Sequence, residues 1–192
     1  MVGYADSASR LGVTTMSDCG MGLPQNPYPL YQILADMPAF KARMAGYALL
    51  PMFDTEALKS FAEQDNDRLW VTKTKYLNTD GSIQGFTALL KEGETYYNGT
   101  ESGHLHFDEE KMYDDVIHAH KLGMSISFHC NGEGCTDVLL DLIERLQNEY
   151  PQPHVRHCLE HNQMVNPDQM DRMAKLGVVH NLFGTHIPFW GD

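Results

Sequence analysis

Basic residues are scarce in this chain. Only 14 Lys and Arg stand against 26 Asp and Glu, for a formal charge of −12 and a pI near 5.1. Nucleic acid and anionic membranes both repel such a surface, so neither is expected as a partner. Long apolar runs are missing too. No stretch approaches the roughly 18 residues a membrane span requires. The opening residues MVGYADSASRLG carry no basic n-region followed by an apolar core, so no secretory leader is legible. Cysteine is sparse: Cys19, Cys130, Cys135 and Cys158 are scattered, with no CxxC pair. That excludes a disulfide framework and points to a reducing, cytoplasmic setting. A phosphate loop is also lacking, because NGEGC at 131–135 has neither the Lys-Ser/Thr of a P-loop nor GxGxxG spacing.

What the chain does have is apolar residues and histidine. Of its 192 residues 42% are hydrophobic, enough to bury one sizeable core, so a single domain over 1–192 is expected. There are 10 histidines. Val13 to Ser17 reads as a first strand, the apolar run 47–53 as a second, and the alternating 68–77 as a third. A helix over 55–64 is capped by Asp54 or Thr55, and another runs from an Asp108 cap through Leu122 to a Gly123 stop. Residues 91–107 read as a polar loop. Then come the strand MSISFH, a helix with Val138, Leu139, Leu142, Ile143 and Leu146 on one face, and the strand 154–161. The next helix starts at Asn166, with Pro167 at N1 and Gln169 at N3, and VVHNLF is the last strand. Repeated strand–helix units predict a parallel sheet flanked by helices. Two closures fit: an open doubly wound sheet or a (β/α)₈ barrel, of which six units are a part.

In either closure the strand C-termini converge on one mouth. Three late strands finish in a histidine: His129, His161 and His186. A fourth strand carries Lys73 and Lys75 ahead of Asp80. Imidazole suits zinc, iron, nickel or manganese, and a catalytic metal activates a water held in an open position. One strand-end histidine alone reads as a capping or core residue; two at matching ends of successive strands point to a shared site. His104 and His106 form an HxH, but no apolar strand precedes them, so they read as loop residues. Cys130 and Cys135 read as buried structural thiols, and Met164, Met170 and Met173 as core packing.

The segments KYLNTDGSIQGFTALL, GMSISFHCNGEG, RHCLEHNQMV and MAKLGVVHNLFGTHIPFWGD resemble the amidohydrolase superfamily, and within it the family 3 group of N-substituted formamide deformylase-like and imidase-like enzymes. The resemblance runs through almost the whole chain in order. It implies α/β architecture: a partial (β/α)₈ TIM-type barrel of about six βα units, strands two to seven of the family barrel. It also implies one or two divalent metal ions, zinc above all. His129 matches the fifth-strand ligand and His161 the sixth-strand ligand. The family's carboxylated lysine stands four residues before Asp-Gly. Here Tyr76 holds that position and Lys75 is one further back, so Lys75 is the counterpart across one inserted residue. No strand-one HxH and no strand-eight aspartate is legible, and a flanking β-domain is missing, so the chain reads as a central fragment.

Two functions follow. The first is hydrolysis of a non-peptide C–N bond in a small amide, imide or N-formyl substrate by metal-activated water, with this fragment inactive if it stands alone. The second is a non-catalytic module that forms a homo-oligomer, or pairs with a missing segment, through open sheet edges.

Overall fold

Strands and helices alternate along the whole chain in the computed structural model, which describes residues 1–21, 28–77 and 79–190. In chain order the elements are α1 (Val2–Arg10), β1 (Thr15–Met21), α2 (Tyr28–Asp36), β2 (Arg43–Leu50), α3 (Thr55–Gln64), β3 (Leu69–Tyr76), α4 (Glu109–Lys121), β4 (Ser125–Cys130), α5 (Glu133–Glu149), β5 (Cys158–His161), α6 (Pro167–Leu176), β6 (Val179–Leu182) and α7 (His186–Trp190). This succession of parallel strands and helices is the partial (β/α)₈ class that the sequence predicts. Contacts divide it into two compact units, Met1–Lys75 and Tyr76–Asp192.

In the first unit the strand order is β1-β2-β3. β1 and β2 run parallel from Thr15↔Arg43 to Met21↔Ala48, with an irregularity between Asp18 and Met21. Met21, Met44, Leu49, Leu58 and Leu69 are buried at its centre. Aromatic rings join α2 and α3: Phe61 lies 4.7 Å from Tyr28 and 5.1 Å from Phe53. Arg68 donates to Ala35 O, a carbonyl that the end of α2 leaves open, at 3.1 Å and to Phe40 O, in the loop beyond, at 2.6 Å.

In the second unit β4, β5 and β6 run parallel in that order, in register from Ser127↔Cys158 and Cys158↔Val179. The alternation of β4 sends Ile126, Phe128 and Cys130 to its helix side and Ser127 and His129 to the other. α4 packs on α5 and β4, and α5 packs on α6 and β4. Their core holds Met112, Val116, Leu139, Ile143 and Leu146, all fully buried.

Several expectations need correction. The first strand begins at Thr15 rather than Val13 and runs on to Met21. Helices α1, α2 and α7 were not anticipated; α1 buries only Ala5 and has no side-chain cap, so it carries little periodic signal. The strand expected over 154–161 shrinks to Cys158–His161, because the preceding residues turn, with Val155 N donating to Gln152 O at 3.0 Å. Of the three methionines assigned to the core, Met173 is buried but Met170 is 47% exposed. Among the described residues no helix is long and apolar enough to cross a membrane.

Candidate metal centre

His129 is the fifth residue of β4, and three neighbours fix its place. Thr79 Oγ1 donates to its carbonyl. Its Nε2 lies 3.0 Å from Gly81 O and 3.1 Å from Asn131 Nδ2. Gly81 O can only accept and Asn131 Nδ2 can only donate, so Nε2 cannot bond both: with the proton on Nε2 it donates to Gly81 O, and Asn131 Nδ2 makes its own bond to Gly81 O at 2.8 Å. The lone pair then sits on Nδ1. A backbone carbonyl that fixes the tautomer of an imidazole is the usual arrangement behind a ligating histidine.

The loops around His129 are held by a buried carboxylate. Asp80 accepts backbone N–H groups from Gly132 at 2.9 Å, Asn131 at 3.1 Å and Leu89 at 3.2 Å, and its Oδ1 stands 3.7 Å from His129 Nε2. Burial pushes the Asp80 pKa up, against the pull of those N–H donors and of His129. The loops can meet only because residue 132 is glycine: a Cβ there would lie 1.9 Å from Leu89 O. Asn131 Nδ2 also donates to Gly81 O at 2.8 Å, and Gln163 Nε2 donates to Asn131 Oδ1 at 2.5 Å.

His161 reaches the same place by a different route. In the β4–β5 register it pairs with Cys130, which faces the helices, while Glu160 pairs with His129. Simple alternation would therefore turn His161 away from His129. The backbone prevents this. His161 has φ 70° and Asn162 φ 39°, both in the left-handed region. Asn162 takes the helix side instead, its N donating to Cys130 O at 2.7 Å and its Oδ1 accepting from Thr136 Oγ1 at 2.8 Å. The His161 ring ends 5.0 Å from that of His129, centroid to centroid. One layer below, Glu160 ties three strands together by accepting from Ser127 Oγ and Asn181 Nδ2.

The two imidazoles line a cavity of about 240 Å³ with Ser82, Gln84, Asn131 and Gln163. His186, at the start of α7, lines it too, beside Phe183 at 4.5 Å between ring centroids. Of the sequence-derived candidates, His129, His161 and His186 are thus brought together. Lys75 lies on β3, in the first unit, and is 3% exposed. Its burial is unusual for a lysine. His104 and His106 lie in the loop before α4, as expected. Cys130 and Cys135 are buried; a hydrogen bond from Cys130 and then burial push the Cys135 thiol well up, so it is no thiolate nucleophile. A recess of about 400 Å³ between the ends of α5 and α6 has no imidazole, carboxylate or thiol in its lining and so no donors for metal chemistry.

The donor set suits a divalent metal in part. Two convergent imidazoles, one with its outer nitrogen bound to a carbonyl, are what such an ion requires. Among the described residues no group of three His, Cys, Asp or Glu side chains could close around it. His129 and His161 bring two imidazoles together, and a metal centre would need further donors. Sequence reasoning missed Asp80, Asn131 and Gln163. Asp80-Gly81 reads locally as a turn, and two of its three N–H partners lie about 50 residues away.

Parallel βα units with imidazoles gathered at strand C-termini are the layout of a TIM-type barrel carrying its site at the strand ends. The chain belongs to the amidohydrolase family, whose profile matches residues 5–191. An uncharacterized metal-dependent hydrolase from Pyrococcus furiosus superposes with a TM-score of 0.77 at 23% identity, over 98% of this chain and 38% of its own. One from Pyrococcus horikoshii gives 0.71 at 22% identity, over 93% and 35%. Protein LONG AFTER FAR-RED 3 of Arabidopsis thaliana is 27% identical over 108 residues, 56% of this chain and 18% of that protein. The chain therefore spans well under half the length of each of these relatives.

Proposed function

We propose that the chain carries the central part of a metal-dependent amidohydrolase that cleaves a non-peptide C–N bond of a small amide, imide or N-formyl compound. The observation that carries this reading is the convergence of His129 and His161 on one cavity despite a strand register that opposes it. His129 through Nδ1 and His161 would hold the cation, zinc by preference, and Lys75 is the proposed further ligand. A bound cation would supply Lewis acidity toward the carbonyl oxygen and lower the pKa of an attacking water. The chain's own residues do the positioning. Gly81 O fixes the His129 tautomer, and Asp80 clamps the loop that presents it. Asn131, braced by Gln163, stands where the substrate's polar atoms would arrive.

The test is metal content by mass spectrometry on protein purified from zinc-supplemented culture. At least one zinc per chain is expected, lost in His129→Ala and in His161→Ala. Equal zinc in parent and variants would sink the reading.

A second reading is favoured by β6, where Val179 is 42% and Leu182 52% exposed. An uncovered apolar strand invites pairing with another chain. It predicts a mass that rises with concentration in light scattering, and a strictly monomeric protein would remove it.

A further inference from the structure

We infer that the recess between the ends of α5 and α6 binds a small organic oxyanion, with its carboxylate or phosphate head on Arg156 and Lys175 and its apolar body on Pro153, Val155 and Leu176. The recess measures about 400 Å³, within the size range of small-molecule sites. Arg156 stands just before β5 and Lys175 in the last turn of α6, just before β6, so both lie where strands start. His129 and His161 sit where strands end, so this site stands apart from the amidohydrolase reading. Its wall is held in place by the chain itself. Gln147 Oε1 accepts from Gln152 N at 2.9 Å, and Val155 N donates to Gln152 O at 3.0 Å. Gly177 closes α6 at φ 67°, and a Cβ there would lie 3.7 Å from Arg156 Nη1, so the guanidinium reaches across to the end of α6.

Charge selects the head group. Cations are few in this chain and most are engaged: Arg145 and Arg172 by carboxylates, Arg68 by carbonyls, Lys121 by the Tyr150 ring. Among the described residues, the charged groups of Arg156 and Lys175 have no hydrogen bond, ion pair or ring contact, and both line the recess. No Asp or Glu is in its wall. The ends of α5 and α6 bring roughly half a negative charge each, which leaves an excess of about one positive charge. The chain's charge of −12 is spread over the surface and is screened beyond about 8 Å at physiological ionic strength. A polyanion would meet that whole surface, whereas one small oxyanion meets only the recess. The guanidinium fork offers paired N–H donors that match a carboxylate or a phosphate. Pro153, Val155 and Leu176 give the apolar part of the wall, which a bare inorganic ion would leave uncovered.

The experiment is an amide NMR titration of the 192-residue protein with four probes. Phenyl phosphate and phenylacetate carry an oxyanion head and an apolar body, benzyl alcohol lacks the charge, and inorganic phosphate lacks the body. Phenyl phosphate and phenylacetate are expected to shift the amides of Val155, Arg156, Lys175 and Gly177 and to leave the His129 and His161 rings unmoved. The tighter of the two identifies the head. Benzyl alcohol and inorganic phosphate should bind at least about tenfold more weakly. Arg156→Gln should lose about tenfold or more in affinity for the two organic anions, and Lys175→Gln, at an exposed position on α6, is a second route to the same loss. Lys91 is likewise unpaired among the described residues but lies outside the recess, so Lys91→Gln should bind as the parent does. An equal loss in Lys91→Gln would mean diffuse attraction and overturn the inference. So would benzyl alcohol binding as tightly as phenyl phosphate, or anion shifts confined to the His129 and His161 rings. Recess amides that move with protein concentration in the absence of probe would overturn it too, since a second copy of the chain would then cover the wall.

Discussion

His161 holds its place in the site through a left-handed backbone, and that conformation costs a residue with a Cβ roughly 1 kcal/mol. The cost is tolerated because it exchanges two side chains. Asn162 goes to the helix side, where Thr136 and Cys130 receive it, and the imidazole goes to the cavity. His161→Gly and His161→Ala should both lose the metal. The glycine variant should nevertheless be the more stable by about 1 kcal/mol in urea unfolding, since glycine alone adopts this φ freely. Equal midpoints would mean that the turn is not strained. Asp80 makes the opposite kind of contribution. Asp80→Ala leaves three N–H groups, two of them buried, without an acceptor and should destabilise by about 3 kcal/mol in the same measurement. A loss below about 0.5 kcal/mol, the range of ordinary surface substitutions, would show that the clamp is not needed. His129 and His161 were legible because imidazoles at successive strand ends are a pattern along the chain. Asp80, Asn131 and Gln163 were not, because each acts on groups brought close only by folding.

Helices were legible where their ends are made by side chains. α6 has the full set: an Asn166 cap on Gln169 N, Gln169 returning to Asn166 N, Pro167 in the first turn and Gly177 at φ 67°. All of it is local, so the sequence defines both the start and the stop. What it could not show is that Gln169 has a second task. Its Nε2 donates to Glu133 O at 2.8 Å and to Asp137 Oδ1 at 2.7 Å, which ties α6 to α5. Asn166→Ala should therefore cost about 1 kcal/mol as a lost cap. Gln169→Ala should cost more, because it removes half of the capping box and the inter-helix tie together. Thermal unfolding of the two variants ranks them, and the reverse order would refute the shared role. α1 and α7 illustrate the limit. One has no side-chain cap and the other spans only His186–Trp190, so neither gives a periodic signal to read.

At the scale of the whole molecule, stability should carry the mark of a buried histidine pair far from the cavity. His120 Nε2 lies 2.8 Å from Tyr150 O, so it must donate. Ile126 N donates to His157 Nδ1 at 3.1 Å, so that nitrogen accepts. The 3.0 Å contact between His157 Nε2 and His120 Nδ1 is then a single N–H···N bond, and every ring nitrogen of the two neutral imidazoles is satisfied. An added proton would break one of these bonds. Burial, and secondarily His120, push the His157 pKa down to about 3. The unfolded chain takes up that proton near pH 6.5, whereas the native chain does not. Between those values the unfolded state binds more protons, so stability is full above about pH 6.5 and declines as pH falls, by up to about 1.4 kcal/mol per unit. Apart from Asp65, Asp80 and Glu133, whose pKa values burial pushes up, carboxylates of ordinary pKa are still ionised down to about pH 5, which leaves a window in which to read His157. Urea unfolding across that window should show the decline in the parent and a shallower one in His157→Gln. Parallel slopes would mean that the pair is not kept neutral.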